Sequence, residues 1–233
     1  MNRKKIFISK LTLLLLIMGS TIQAQTKITV DVTKPGHAIS PSLFGIFFED
    51  INLSADGGLY PEMVQNRSFE DADTLQNWKF SNIQGKSVAK ISHAEIYAKP
   101  QISPLNPFNR KALLISAAGS FKLENPGYWG MNMVQGESYT LKLAARAIDG
   151  FSSPLKIRIL DAKGNEISAS VINGITGNWA YYTANLKISA GDPKASLEIS
   201  GEGNGKLFLD MVSLMPDKTW KNHGLRTDLA EAF

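Results

Sequence analysis

Two acids, Glu49-Asp50, directly follow the apolar run Leu43-Phe44-Gly45-Ile46-Phe47-Phe48. A short, almost continuous apolar run suits a strand buried on both faces, as in a parallel barrel. Carboxylates at the C-terminal end of such a strand stand where barrel loops build a site, and they can accept hydrogen bonds from sugar hydroxyls. The plainer reading of the same pair is a solvated loop acid or a cap for a following helix. Glu62 and Glu70 lie in the same stretch. Hydrolysis by a carboxyl pair needs the two groups held across the scissile bond. Sequence spacing cannot place them so, and both read as structural, for example as partners of Arg67.

A second group is aromatic: Trp78, Tyr128, Trp129, Trp179, Tyr181 and Tyr182. Ring faces stack on the apolar faces of sugars, but most rings in a sheet protein pack in its core. Tyr128-Trp129 lies between Gly127 and Gly130, which suits either an exposed binding turn or a packed one. The histidines are isolated, and no metal-ligand spacing, nucleophile elbow, P-loop or dinucleotide glycine signature occurs. Asp210, inside an apolar run, reads as a turn or hydrogen-bonding residue, with a structural calcium ion as the alternative.

These residues need elements to hold them. Lys27-Ile28-Thr29-Val30-Asp31-Val32 alternates like a half-buried strand, ended by Pro35-Gly36. From about residue 71 short alternating runs follow one another: 112–115, 139–146, 155–160, 179–186, 196–200 and 207–214. Many short strands with regular turn signals predict an antiparallel jelly-roll sandwich. Beyond Pro216 the apolar residues Leu225, Leu229, Ala232 and Phe233 fall at helical spacing, capped by Asn222 or Thr227. That amphipathic pattern is still running at Phe233, and the expectation is a chain cut within an amphipathic helix.

The first residues read as a leader. Arg3, Lys4 and Lys5 precede the apolar stretch Leu11–Met18, and Gly19, Ser20 and Ala24 are the small residues of a cleavage site. The stretch is too short for a comfortable membrane span. The formal charge of +4 is partly this basic start, which leaves no stripe for nucleic acid. With no cysteine, disulfides and a lipid-anchored cysteine are excluded. The expected product is exported, secreted or periplasmic, with no membrane association after leader removal.

The stretch from Ile39 through Phe48-Glu49-Asp50 and on through Gly57-Gly58-Leu59-Tyr60-Pro61-Glu62 to Glu70 resembles the opening of the α-L-arabinofuranosidases of glycoside hydrolase family 51. Asn125-Pro126-Gly127-Tyr128-Trp129-Gly130 resembles a motif of the carbohydrate-binding-like jelly roll inserted in one subgroup. Val212–Pro216 with Thr219-Trp220-Lys221 and Gly224-Leu225-Arg226 resembles the return from that insert. The resemblance implies a mainly β chain: a jelly-roll sandwich flanked by the first strand and first helix of a truncated (β/α)₈ barrel. The implied segments are a leader over 1–24, an N-terminal sandwich strand and first barrel strand over 25–70, the carbohydrate-binding-like sandwich over 71–215, and the start of the first barrel helix over 216–233. It also implies a retaining exo-acting enzyme that frees terminal arabinofuranosyl groups from arabinoxylan or arabinan without cofactor or metal. Glu49, with Asp50 beside it, matches the family's substrate-binding position, and Tyr128 and Trp129 are candidates for stacking. Both catalytic glutamates of the family lie on later barrel strands and match no residue of this chain. The competing reading is a non-catalytic carbohydrate-binding sandwich.

Overall fold

The computed structural model describes residues 27–40, 42–93 and 104–232. The leader expected over 1–24 lies outside them. By backbone packing the chain divides between Ile46 and Phe47. In the first unit, the Asp31 carboxylate accepts the Thr33 amide and hydroxyl and so closes a turn, and Leu43 closes another on the Ser40 carbonyl. Neither run expected as a strand, 27–32 or 43–48, forms a ladder, and Val30, Phe44 and Phe47 are exposed. A strand exists through hydrogen bonds to a neighbour, and no neighbour for these runs stands among the described residues.

In the second unit nine strands form among the described residues: β1 (Lys79–Gly85), β2 (Val88–His93), β3 (Lys111–Asn125), β4 (Met131–Met133), β5 (Ser138–Ile148), β6 (Leu155–Leu160), β7 (Glu166–Ile172), β8 (Ala180–Lys187) and β9 (Asp192–Pro216). Every pairing is antiparallel. β3 and β9 pair along most of their length, from Leu113↔Leu209 to Asn125↔Leu197. Their outer edges are shared out. The second half of β3 takes β1, and its first half takes β2. The first half of β9 takes β6, and its second half takes β5. Two layers result, β7-β6-β9-β3-β1 and β8-β5-β9-β3-β2, with the two long strands running through both.

Alternation explains the layers. In β6, Leu155, Ile157 and Ile159 are buried while Lys156 and Arg158 face out. Phe121, Leu123, Ile157 and Ile199 from one layer meet Leu113, Leu141, Leu143 and Leu209 from the other in one buried cluster. Each fully buried aliphatic side chain stabilises the fold by about 1.5–3 kcal/mol relative to exposure. This is the expected sandwich, with one difference. The runs 196–200 and 207–214, read separately in the sequence, belong to a single strand. Gly201, Gly203 and Gly205 carry β9 round the corner between layers. At Gly205, with φ +123°, an added Cβ would stand 2.3 Å from the Phe151 amide nitrogen.

After β9 comes a 3₁₀ turn at Trp220–Asn222 and then α1 (Thr227–Ala230). The residue that precedes α1 is Arg226, so Thr227 is its first helical residue and not its cap, and Asn222 lies in the separate 3₁₀ turn. No helix among the described residues is long and apolar enough to cross a membrane.

Candidate functional site

The site is built on a buried carboxylate. Glu62 is 1% exposed. Its Oε1 accepts the amides of Val64 (2.9 Å) and Leu214 (3.0 Å), and its Oε2 accepts the Ser213 hydroxyl (2.6 Å). The Met63 amide donates to the Leu214 carbonyl, so residues 62–64 are stitched to the end of β9. Burial pushes the Glu62 carboxyl above its ordinary range, against the pull of these three donors. Glu62 thus bonds to Ser213, Val64 and Leu214, not to the Arg67 that the sequence offered as a partner. Arg67 instead pairs with Asp56 at 3.4 Å. Glu70 accepts the Lys111 amide at 2.9 Å.

Asn125, at the end of β3 and wholly buried, ties three segments together. Its Nδ2 donates to the carbonyls of Gln65 (2.9 Å) and Asn77 (3.1 Å), and its Oδ1 accepts the Gly127 amide (2.9 Å). The turn Pro126–Gly130 then closes by the Gly130 amide on the Pro126 carbonyl at 3.1 Å. This fixes the two aromatics differently. The Tyr128 ring lies on Gly57, where an added Cβ would be 2.6 Å from the ring and where φ is +82°. Burial, with Asp56 and Glu62 nearby, pushes the Tyr128 hydroxyl up to about 12. Trp129 is 74% exposed, and only its backbone is anchored, by Lys194 Nζ donating to its carbonyl at 2.6 Å.

Tyr128 and Trp129 line a cleft of about 430 Å³ together with Glu62, Glu137, Lys218 and Arg226. The Arg226 amide donates to the Leu59 carbonyl at 2.9 Å, and its guanidinium holds Asp228 through two bonds of 2.7 Å. An exposed indole beside paired charges can stack on one face of a sugar ring and hydrogen-bond its hydroxyls. Glu49 and Asp50 do not line this cleft. Asp50 accepts the Ala55 amide at 3.1 Å, the Glu49 carbonyl accepts the Ser54 hydroxyl, and both acids are exposed. Sequence reasoning missed Arg226, Asp228 and the clamp at Glu62. Asn125 was readable, since Asn before Pro-Gly is an Asx-turn signal.

Asp210 is wholly buried, with Oδ1 accepting the Met211 amide at 2.7 Å and Oδ2 without a partner. Burial pushes its carboxyl up to about 7, and the nearby Glu70 adds to the shift. No cluster of three or more His, Cys, Asp or Glu side chains suited to a metal occurs among the described residues.

No family model matches the chain. It is 36% identical over 211 residues to an extracellular exo-α-L-arabinofuranosidase of Streptomyces chartreusis, covering 88% of this chain and 24% of that protein. It is 34% identical to α-L-arabinofuranosidase 1 of Arabidopsis thaliana, covering 83% of this chain and 30% of that one. Among solved structures it superposes on an arabinose-bound GH51 α-L-arabinofuranosidase with a TM-score of 0.66 and 28% identity, over 79% of this chain and 31% of the other. The chain belongs to the family 51 α-L-arabinofuranosidases. It spans only about a quarter to a third of the length of these arabinofuranosidases.

Proposed function

We propose that this chain is the N-terminal part of a retaining, exo-acting α-L-arabinofuranosidase that frees terminal arabinofuranosyl groups from arabinoxylan or arabinan, in the periplasm or outside the cell. The observation that carries the reading is the similarity to arabinofuranosidases over nearly nine-tenths of the chain. The exposed run Leu43–Phe48 supports it, because such apolar surface belongs against neighbouring strands. In this reading the run is the first barrel strand. Glu49 and Asp50, at its end, bind the hydroxyls of the arabinose unit. The acid/base and nucleophile glutamates that retaining hydrolysis requires stand on later strands, outside this chain. Residues 25–70 and 216–233 belong to the catalytic body, and 71–215 is the inserted sandwich.

The test is hydrolysis of 4-nitrophenyl α-L-arabinofuranoside by this chain alone and by the chain extended with its in-frame downstream sequence. Turnover is expected only from the extended protein, where Glu49→Gln raises KM more than it lowers kcat. Turnover by this chain alone refutes the division of residues. A second reading, a non-catalytic carbohydrate-binding sandwich, draws on the exposed indole of Trp129 over its cleft. It gains if the extended protein binds arabinan and cleaves nothing.

A further inference from the structure

We propose that the outer face of the layer β7-β6-β9-β3-β1 is a second binding groove, shaped for the interior of an uncharged, linear, polyhydroxylated chain lying across the strands. The inference does not rest on the hydrolase reading. A hollow of about 660 Å³ sits on this face, larger than the cleft at Trp129. Directly paired residues of an antiparallel sheet share a face, so the registers define its floor. One rung runs Lys122, Ser200, Lys156 and Val171. The next runs Glu124, Glu198 and Arg158. At either edge stands an exposed aliphatic side chain, Ile83 on β1 at 60% and Val171 on β7 at 51%.

The charges decide what fits. Glu198 faces outward yet is only 1% exposed, because Arg158 and Lys122 lie over it. Arg158 Nε donates to it at 2.8 Å, and Lys122 Nζ stands 3.6 Å away. Lys122 also meets Glu124 at 3.2 Å, and Lys156 meets Glu166 at 2.9 Å. Each cation of the floor is therefore already paired with a carboxylate. An anionic ligand would have to displace those carboxylates and leave Glu198 buried without a partner, which is costly. A hydroxyl both donates and accepts, so a row of hydroxyls bonds to alternating ammonium and carboxylate groups without separating any pair. Ser200, between two lysines, leaves the space in which such a row lies.

The shape decides how the ligand lies. Five strands span roughly 19 Å at the usual spacing of about 4.8 Å, and the hollow reaches from β1 to β7. A trough of that length, flanked at both edges by aliphatic side chains, takes several units of a chain, whereas an exo-acting site takes one terminal unit. Phe121 beneath the floor is 1% exposed and offers no ring to stack on, so binding rests on hydrogen bonds and is not sensitive to salt.

The experiment is an amide-resolved NMR titration of this chain with xylohexaose and with linear arabinohexaose. One of the two is expected to give saturable shifts at Ser120, Lys122, Lys156 and Ser200. Ser200→Trp, which fills the trough, is expected to weaken binding at least tenfold, and Thr183→Ala, at an exposed position on β8 of the other layer, to leave it within twofold. If Ser200→Trp fails to fold, Lys156→Ala, at an exposed position, is expected to weaken binding at least threefold. The proposal is overturned if neither oligosaccharide gives saturable shifts, if the shifts centre on Trp129, or if polygalacturonate binds the groove more tightly than both in a salt-dependent way.

Discussion

Removing the Glu62 side chain tests whether the clamp under the cleft carries stability. Glu62→Ala strips the acceptor from two buried amides, those of Val64 and Leu214, and from the Ser213 hydroxyl. An unsatisfied buried polar group costs about 1–3 kcal/mol, so three of them cost about 3–6 kcal/mol once some water enters. In a protein of this size about 1 kcal/mol moves Tm by roughly 2–4 °C, so a drop on the order of 10 °C is expected in calorimetry. Glu62→Gln keeps Oε1 for both amides and turns an amide donor toward the Ser213 hydroxyl, and it is expected to cost no more than about 1 kcal/mol. The sign of its pH effect follows from burial, which raises the Glu62 pKa in the folded chain. The folded chain then holds a proton that the unfolded chain has released, so stability falls as pH rises through that window, and Glu62→Gln removes this slope. Equal losses for the Ala and Gln variants, or a Glu62→Ala Tm within a degree of the parent, would refute the clamp.

Gly57→Ala is expected to lower Tm by several degrees, because its Cβ would meet the Tyr128 ring at 2.6 Å on a backbone of φ +82°; scanning calorimetry reads this. Trp129→Ala, at a side chain 74% exposed, is expected to leave Tm within about a degree and to abolish any oligosaccharide binding in its own cleft, as titration calorimetry would report. The Asp210 carboxyl titrates at about 7 when folded against an ordinary value of 3.8, so its contribution to unfolding free energy falls as pH rises between about 4 and 7 and is flat above. Asp210→Asn is expected to flatten that slope in urea melts taken at about pH 5 and about pH 8. Gly205→Ala is expected to lower Tm by more than Gly57→Ala, since its Cβ would meet a backbone nitrogen and not a movable ring.

Much of the sandwich was legible because alternation is a local signal. Leu155-Lys156-Ile157-Arg158-Ile159 states its two faces without help from the rest of the chain, and β6 falls where it should. The union of 196–200 with 207–214 was not legible, because three glycines in five residues normally announce a turn, and only the pairing with β3 keeps the ladder intact through them. The run Leu43–Phe48 shows the opposite failure. Its pattern is that of a strand, but a pattern supplies no partner, and among the described residues it stays exposed. At the site, the exposed Trp129 and half-buried Tyr128 were both within the alternatives that the flanking glycines left open. The clamp at Glu62 was hidden because its partners at 213 and 214 lie some 150 residues away in sequence. The groove over Glu198 was hidden too, since neighbours such as Lys122 and Arg158 meet only through the register of three strands.

Because β3 and β9 each pass through both layers, the two halves of the sandwich are joined by covalent backbone as well as by side-chain contact. Sliding one layer over the other would have to distort both strands at the glycine corner and part the shared apolar cluster, so the two layers resist shear as one body. A chain segment attached to either face is thereby held at a constant distance and angle from a segment attached to the other. In hydrogen exchange this rigidity has a plain signature: the amides of Leu197 and Leu209, at opposite ends of the β3–β9 ladder, open together, at the rate of global unfolding.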